Sequence, residues 1–219
     1  MSRPAGPHVT AIHAGPVREE TFGGKTETTA ICKVPIAGMA RIGPLGIEGD
    51  EQADARCHGG PSRALCCYVL EHQEAWAREW DRPVGPGSFG ENLTVTGLTE
   101  ATVHIGDRFR LGSALIEVAS ARGPCRTLAA RLGVPDIVPR IRLNGWTGWY
   151  CRVLEPGEAT AGAALVLEHA HPHAISVLDA YRIKLDKSGP RQPVERLLSV
   201  EALCPDWRKS LEARIGSGD

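Results

Sequence analysis

The first 170 residues alternate short apolar runs with glycine- and proline-rich punctuation, and they read as β-rich. Val9 to His13 and Ala30 to Ile36 are apolar runs bounded by Gly and Pro, which predicts strands. Arg108-Phe-Arg-Leu-Gly-Ser-Ala-Leu-Ile-Glu-Val118 carries the clearest local signal. A two-residue turn at Gly112-Ser113 sets Leu111 against Ala114 and Phe109 against Ile116, with these side chains on one face. Trp149 to Leu154 and Ala163 to Leu167 are predicted to pair around Pro156-Gly157. Between the strands lie short helical stretches. Glu71 to Trp80 places Trp76 and Trp80 at i, i+4, and Thr127 to Leu132 is a brief helix capped by Gly133.

The pattern changes after His169-Ala-His-Pro-His173, which reads as a solvated hinge. Ser176-Val-Leu-Asp179 is a capping box opening a helix with Leu178, Tyr181 and Leu185 on one stripe. Val194, Leu197 and Leu198 mark a second helix with Pro193 at its first position. Trp207, Leu211 and Ile215 mark a third, opened by Pro205. The predicted fold is mainly β (α+β): a β-rich domain over 1–170, then a small three-helix unit over 171–219.

Composition fits this outline. Of 219 residues, 25 are Gly and 16 are Pro, which argues against a helical bundle. Lys plus Arg is 25 and Asp plus Glu is 26. A net charge of −1 gives no field for the phosphate backbone, so no nucleic-acid partner is expected. No apolar run is long enough to cross a bilayer, and Pro4, Pro7 and His8 fall where a signal peptide needs an apolar core. The expected location is cytoplasmic, with no membrane partner and reduced thiols. Cysteines stand at 32, 57, 66, 67, 125, 151 and 204 with no Cys-x-x-Cys, so neither zinc nor an iron–sulfur cluster is signalled.

Four segments carry candidate chemistry, each with a plainer structural reading beside it. Asp50 to Ala64 is a polar loop in which Gly59 and Gly60, after His58, allow close backbone approach and an anion-binding nest. The plainer reading is a structural turn in which Asp50 or Asp54 caps its own backbone. Gly87 to Leu93 places Glu91 and Asn92 at a loop-to-strand junction. Asn92 is either a turn residue or the donor and acceptor for a planar heterocycle. In Ser120-Ala-Arg-Gly-Pro-Cys-Arg-Thr127, Cys125 lies between Arg122 and Arg126 at a helix start, where cations and the helix dipole favour thiolate. Most thiols are buried small hydrophobes, and Cys125 is the one set apart; Cys57, beside His58, is its nearest rival. Trp149, Tyr150 and Arg152 open a strand, suited either to core packing or to holding a ring and a phosphate.

Together these segments resemble the MOSC domain, named for the C-terminal domain of molybdenum cofactor sulfurases, in its stand-alone bacterial YiiM-like branch. Lys33-Val-Pro-Ile, Gly49-Asp50 with His58-Gly-Gly-Pro61, Gly87 to Leu93, Ile105-Gly-Asp107, Arg122-Gly-Pro-Cys125 and Gly148 to Val153 fall in that family's order and spacing. The last 45 or so residues resemble the three-helix unit that follows the domain in that branch. Cys57 and the Cys66–Cys67 pair depart from it, where His or apolar residues are expected.

The resemblance implies a β-barrel-like domain holding a molybdenum–molybdopterin cofactor, with Cys125 as the metal ligand. Relatives such as the mitochondrial amidoxime reducing component reduce N-hydroxylated compounds, including hydroxylaminopurines. On this reading Arg122, Lys33, Arg63 and Arg152 are candidates for the pterin phosphate, with Gly59, Gly60, Glu91 and Tyr150 also lining the cofactor. Asp50, His58 and Asn92 orient substrate, and His58 or Asp50 relays protons. No flavin, haem or iron–sulfur site is recognisable, so a separate electron-donating reductase is implied. The C-terminal helices are expected to dock on the barrel, to pair with a second subunit in a homodimer, or to receive that reductase. Two alternatives stand beside reduction. Cys125 carries a persulfide in sulfur transfer, although no pyridoxal phosphate is expected on this chain. Or the protein binds the molybdenum cofactor without turnover.

Overall fold

The computed structural model describes residues 6–54 and 59–216. Its organising element is the hairpin of β9 (Arg108–Leu111) and β10 (Ala114–Ala121), in the register expected from the Gly112-Ser113 turn, Leu111 against Ala114 and Phe109 against Ile116. Every residue of β10 is buried, because both of its faces are covered. β10 pairs on its other side with β11 (Trp149–Glu155), and β11 pairs with β7 (Leu65–Val69). β7 runs parallel to β8 (Leu93–Thr96), and β8 pairs with β1 (His8–Ala14). β4 (Val34–Pro35) and β13 (Leu165–His169) close an eight-stranded order, β13-β9-β10-β11-β7-β8-β1-β4. The sheet curls into a half-barrel until Val9 N donates to Ala163 O at 2.9 Å and Leu165 N to Pro7 O at 2.9 Å.

β5 (Met39–Gly43) and β6 (Gly46–Ile47) form a smaller sheet with β12 (Gly157–Thr160), while β2 (Arg18–Phe22) and β3 (Lys25–Thr29) pair only with each other. Helix α1 (Leu70–Trp80) follows β7. α2 (Arg126–Leu132) ends at Gly133, whose φ of 62° is the left-handed cap expected for glycine there. α3 (Ile137–Asn144) buries Ile137 and Ile141. Then come α4 (Val177–Leu185), α5 (Arg191–Leu198) and α6 (Pro205–Gly216).

α4 packs on β10, and Val177, Tyr181, Val194, Leu197 and Leu211 belong to the same apolar cluster as Val9, Ile116 and Val118 of the barrel. A second cluster, Tyr68, Trp76, Phe89, Leu128, Leu132, Ile137 and Ile141, joins α1, α2 and α3 beside it. Among the described residues no helix is long and apolar enough to cross a membrane.

Several local expectations need correction. Ala30 to Ile36 is mostly loop, and only Val34–Pro35 pairs, at an edge where proline costs no ladder bond. Trp149–Leu154 and Ala163–Leu167 do not pair. The intervening residues form β12, which crosses to β5, and β13 then returns beside β9. The capping box is present, with Ser176 Oγ accepting from Asp179 N at 3.0 Å. However, α4 buries Val177, Ala180 and Tyr181, and Leu185 is 41% exposed. α5 starts two residues before Pro193, which is harmless because first-turn N–H groups have no intrahelical acceptor. α3 was not expected; Pro139 hid it, for the same reason.

Candidate functional site

One row across three strands builds the back wall of a cavity of about 300 Å³. Tyr150 pairs with Cys66 on β7 and with Ser120 on β10. Arg122 N then extends the ladder to Gly148 O at 3.1 Å. Successive strand residues face opposite ways. Cys66 and Tyr150 therefore line the cavity, while Cys67, Trp149 and Cys151 enter the barrel core. The chain leaves β10 through Gly123-Pro124, so that Cys125 caps α2 in an extended conformation and lines the same cavity, partly exposed. The arginines flanking Cys125 separate: Arg122 is buried on the cavity wall, and Arg126 faces solvent.

A hydrogen-bonded network adjoining this row forms another part of the lining. Asp50 Oδ1 accepts from Lys33 Nζ and, at 3.1 Å, from Gly15 N. Its Oδ2 accepts from Asn92 Nδ2 at 2.9 Å and from Gln52 Nε2 at 3.2 Å. Asn92 Nδ2 also donates to His13 O at 3.2 Å, and Asn92 Oδ1 accepts from Cys66 N at 3.0 Å. Both donors and the acceptor of the Asn92 amide are thus committed to protein, and Asn92 braces the wall.

Burial pushes the Cys66 thiol up to about 11, against the opposing pull of Arg122. Burial likewise raises Tyr150. Burial alone would weaken the charge on Arg122. Cys66, Tyr150, Cys125 and Glu91 around it outweigh burial and hold its pKa above the ordinary arginine value. Arg122 Nη2 donates to Phe89 O at 2.7 Å.

Of the residues named from sequence, Cys125, Asp50, Asn92, Lys33, Arg63, Arg122 and Tyr150 meet at this cavity. Glu91 does not line it. Fully buried behind the wall, Glu91 accepts from Gln73 Nε2, Gly87 N, Phe89 N and Thr94 Oγ1 at 2.6–3.0 Å, folding the loop whose Phe89 carbonyl holds Arg122. Arg152 is turned away, paired with Glu117 at 2.9 Å and donating to Ala202 O at 2.7 Å. Gly60, with φ 89°, precedes the 3-10 turn Pro61–Arg63, and neither it nor Gly59 lines the cavity. His58 and Cys57 lie outside the described residues. Cys66, Thr28, Thr29, Gln52 and Thr127 are lining residues that sequence reasoning missed. Strand alternation around the Cys66–Cys67 pair was the available signal, since it must send one thiol to each face.

The chain belongs to the MOSC domain family, whose model matches residues 54–166. Within that class it is a YiiM-like protein. It is 41% identical over 202 residues to YflK of Bacillus subtilis (strain 168), covering 92% of this chain and 91% of that one. It is 39% identical over 194 residues to YiiM of Escherichia coli (strain K12), covering 87% and 86%. The crystal structure of YiiM from Geobacillus stearothermophilus superposes with a TM-score of 0.81 at 31% identity, covering 95% of this chain and 99% of that one. A protein of Gibberella moniliformis named reductase is 35% identical over 179 residues, 78% of this chain but 31% of its own length.

The family is associated with the molybdenum cofactor. Among the described residues no cluster of three or more His, Cys, Asp or Glu could hold a metal by itself. A metal carried by its own organic ligand needs less, and the donor set fits that case. The cavity presents one partly exposed soft thiol, Cys125, and the cations Arg122, Arg63 and Lys33 for an anionic group.

Proposed function

We propose that this protein is a molybdenum-cofactor-dependent oxidoreductase that reduces N-hydroxylated compounds, N-hydroxylated purine bases among them. The observation that carries the reading is the convergence of Cys125, Arg122, Arg63 and Lys33 on one cavity of about 300 Å³. In the reaction, an N–OH group takes two electrons and two protons and becomes N–H and water. The cofactor, when bound, supplies two-electron chemistry and a site for the departing oxygen.

The chain's own residues do the rest. Cys125 Sγ would ligate the metal, and Arg122 and Arg63 would hold the cofactor's anionic group. Asp50 is filled by four donors, so it acts by keeping Lys33 Nζ in place. Lys33 Nζ is then the proton donor on that wall, and Asn92 keeps the wall rigid. The electrons come from a separate reductase. The fungal relative named reductase supports this reading, because it carries the matching unit within a much longer chain.

The test is production in a host that makes the cofactor, followed by metal analysis and turnover of 6-N-hydroxylaminopurine with a chemical reductant. We expect about one molybdenum per chain and reduction of the substrate. Cys125→Ser should melt like the wild type yet lose both. Full turnover by Cys125→Ser overturns the reading, and so does a metal-free, inactive wild type.

A further inference from the structure

Asp206 has no part in the reading above, yet it is bonded to a cavity residue. Arg63 Nη2 donates to Asp206 Oδ2 at 2.6 Å, with side-chain exposures of 12% and 63%. Asp206 lies in the first turn of α6, and the segment before it is fixed to the barrel. Cys204 N donates to Ala119 O at 2.9 Å, Cys204 Sγ lies 3.5 Å from Ser62 Oγ, and Ala202 O accepts from Arg152. The backbone is thus anchored while the carboxylate stands at the solvent edge.

We infer that Asp206 is an internal competitor for an anion subsite on Arg63, displaced when a phosphate monoester binds in the cavity. The inference rests on reading the cavity as the seat of an anionic ligand. A carboxylate already 63% exposed returns to water at little cost. A phosphate offers the guanidinium fork more charge and more acceptor oxygens than the carboxylate it replaces. The other cavity cations offer no such exchange. Lys33 is held by Asp50, both side chains being nearly inaccessible, and Arg122 is buried with a donor on the Phe89 carbonyl. Among these three cations, Arg63 is the one bonded to a carboxylate of the C-terminal helices. Displacement removes the Asp206 carboxylate from Arg63, while the bonds of Cys204 and Ala202 keep the start of α6 on the barrel.

The experiment titrates inorganic phosphate calorimetrically into the full cofactor-free chain as wild type, Asp206→Asn, Arg63→Gln and the double variant. Removing an exposed competitor should tighten phosphate binding roughly two- to fivefold in Asp206→Asn. Arg63→Gln should weaken binding, and the added Asp206→Asn change should then have no effect. Equal or weaker binding by Asp206→Asn overturns the inference, because Asp206 would then be holding Arg63 in its working position. No phosphate binding by Asp206→Asn overturns it as well. Repeating the titration on chain loaded in a cofactor-making host separates the sources of phosphate. Loss of the phosphate response assigns the subsite to the cofactor, and its persistence with the same gain assigns it to a phosphorylated substrate. Molybdenum content of the wild type and of Cys125→Ser is read without Asp206, so failure here leaves the proposed function standing.

Discussion

Lys33 and Asp50 face each other with side-chain exposures of 7% and 1%, whereas Arg63 and Asp206 do so at 12% and 63%. Lys33, Asp50 and Arg63 line one cavity, so both pairs set a cation beside the same space. The first is walled in, and each oxygen of Asp50 takes two donors. The second has one partner in the wall and the other in water. A buried pair is costly to break because the surviving charge is stranded, while an exposed one exchanges readily with solvent or ligand. The two pairs should therefore respond very differently to the same kind of mutation.

The largest effect is expected at Asp50. Asp50→Ala leaves Lys33 buried without its counter-charge and leaves Gly15 N, Gln52 Nε2 and an Asn92 donor short of an acceptor. The expected loss is about 3–5 kcal/mol, read as a fall in the urea midpoint. Asp50→Asn keeps the volume but supplies a donor where an acceptor is needed, so it should recover only part of that. A loss below about 1 kcal/mol in Asp50→Ala would place this pair in the same class as Arg63–Asp206.

That contrast shows what the sequence could and could not reveal. Lys33, Asp50, Asn92, Arg63 and Arg122 all stand out by residue type, and all line the cavity. Their pairing does not show in the chain, because Asp50 lies 17 residues from Lys33 and 42 from Asn92. By residue type Lys33 reads as a phosphate ligand and Asp50 as a proton relay, and the chain alone does not show that the two are paired. Arg152 failed for the same reason, since Glu117 claims it from the neighbouring strand. Folding behaves alike. The β9–β10 hairpin is legible because a two-residue turn sets its register locally. The partners of β11 and β13 depend on β12 crossing to β5, a contact more than a hundred residues apart in the chain.

A smaller effect is expected on the inner wall at high pH. Cys66 titrates near 9 when unfolded and near 11 in its buried place beside Arg122. The folded chain therefore holds a proton that the unfolded chain releases. The contribution is complete below pH 9 and disappears as pH rises toward 11. Two units correspond to about 2–3 kcal/mol. Urea unfolding at pH 8 and pH 10.5 should show wild type losing more stability over this interval than Cys66→Ala. Equal losses would mean that the wall around Cys66 is as open to water as the rim.

The smallest effect is expected at the rim, and it sharpens the comparison most. Asp206→Asn should cost only about 0.2–1 kcal/mol, because the Asp206 carboxylate is well solvated in either state. A double-mutant cycle of Arg63→Gln and Asp206→Asn by urea unfolding should return a coupling in that range, falling further as salt is raised. For Lys33 and Asp50 the same cycle should return a larger coupling that salt barely moves, since a pair this buried is poorly screened. If the Arg63–Asp206 coupling proves equally large and insensitive to salt, Asp206 is a structural strut. Asp206 would then be a permanent partner of Arg63 rather than an exchangeable one.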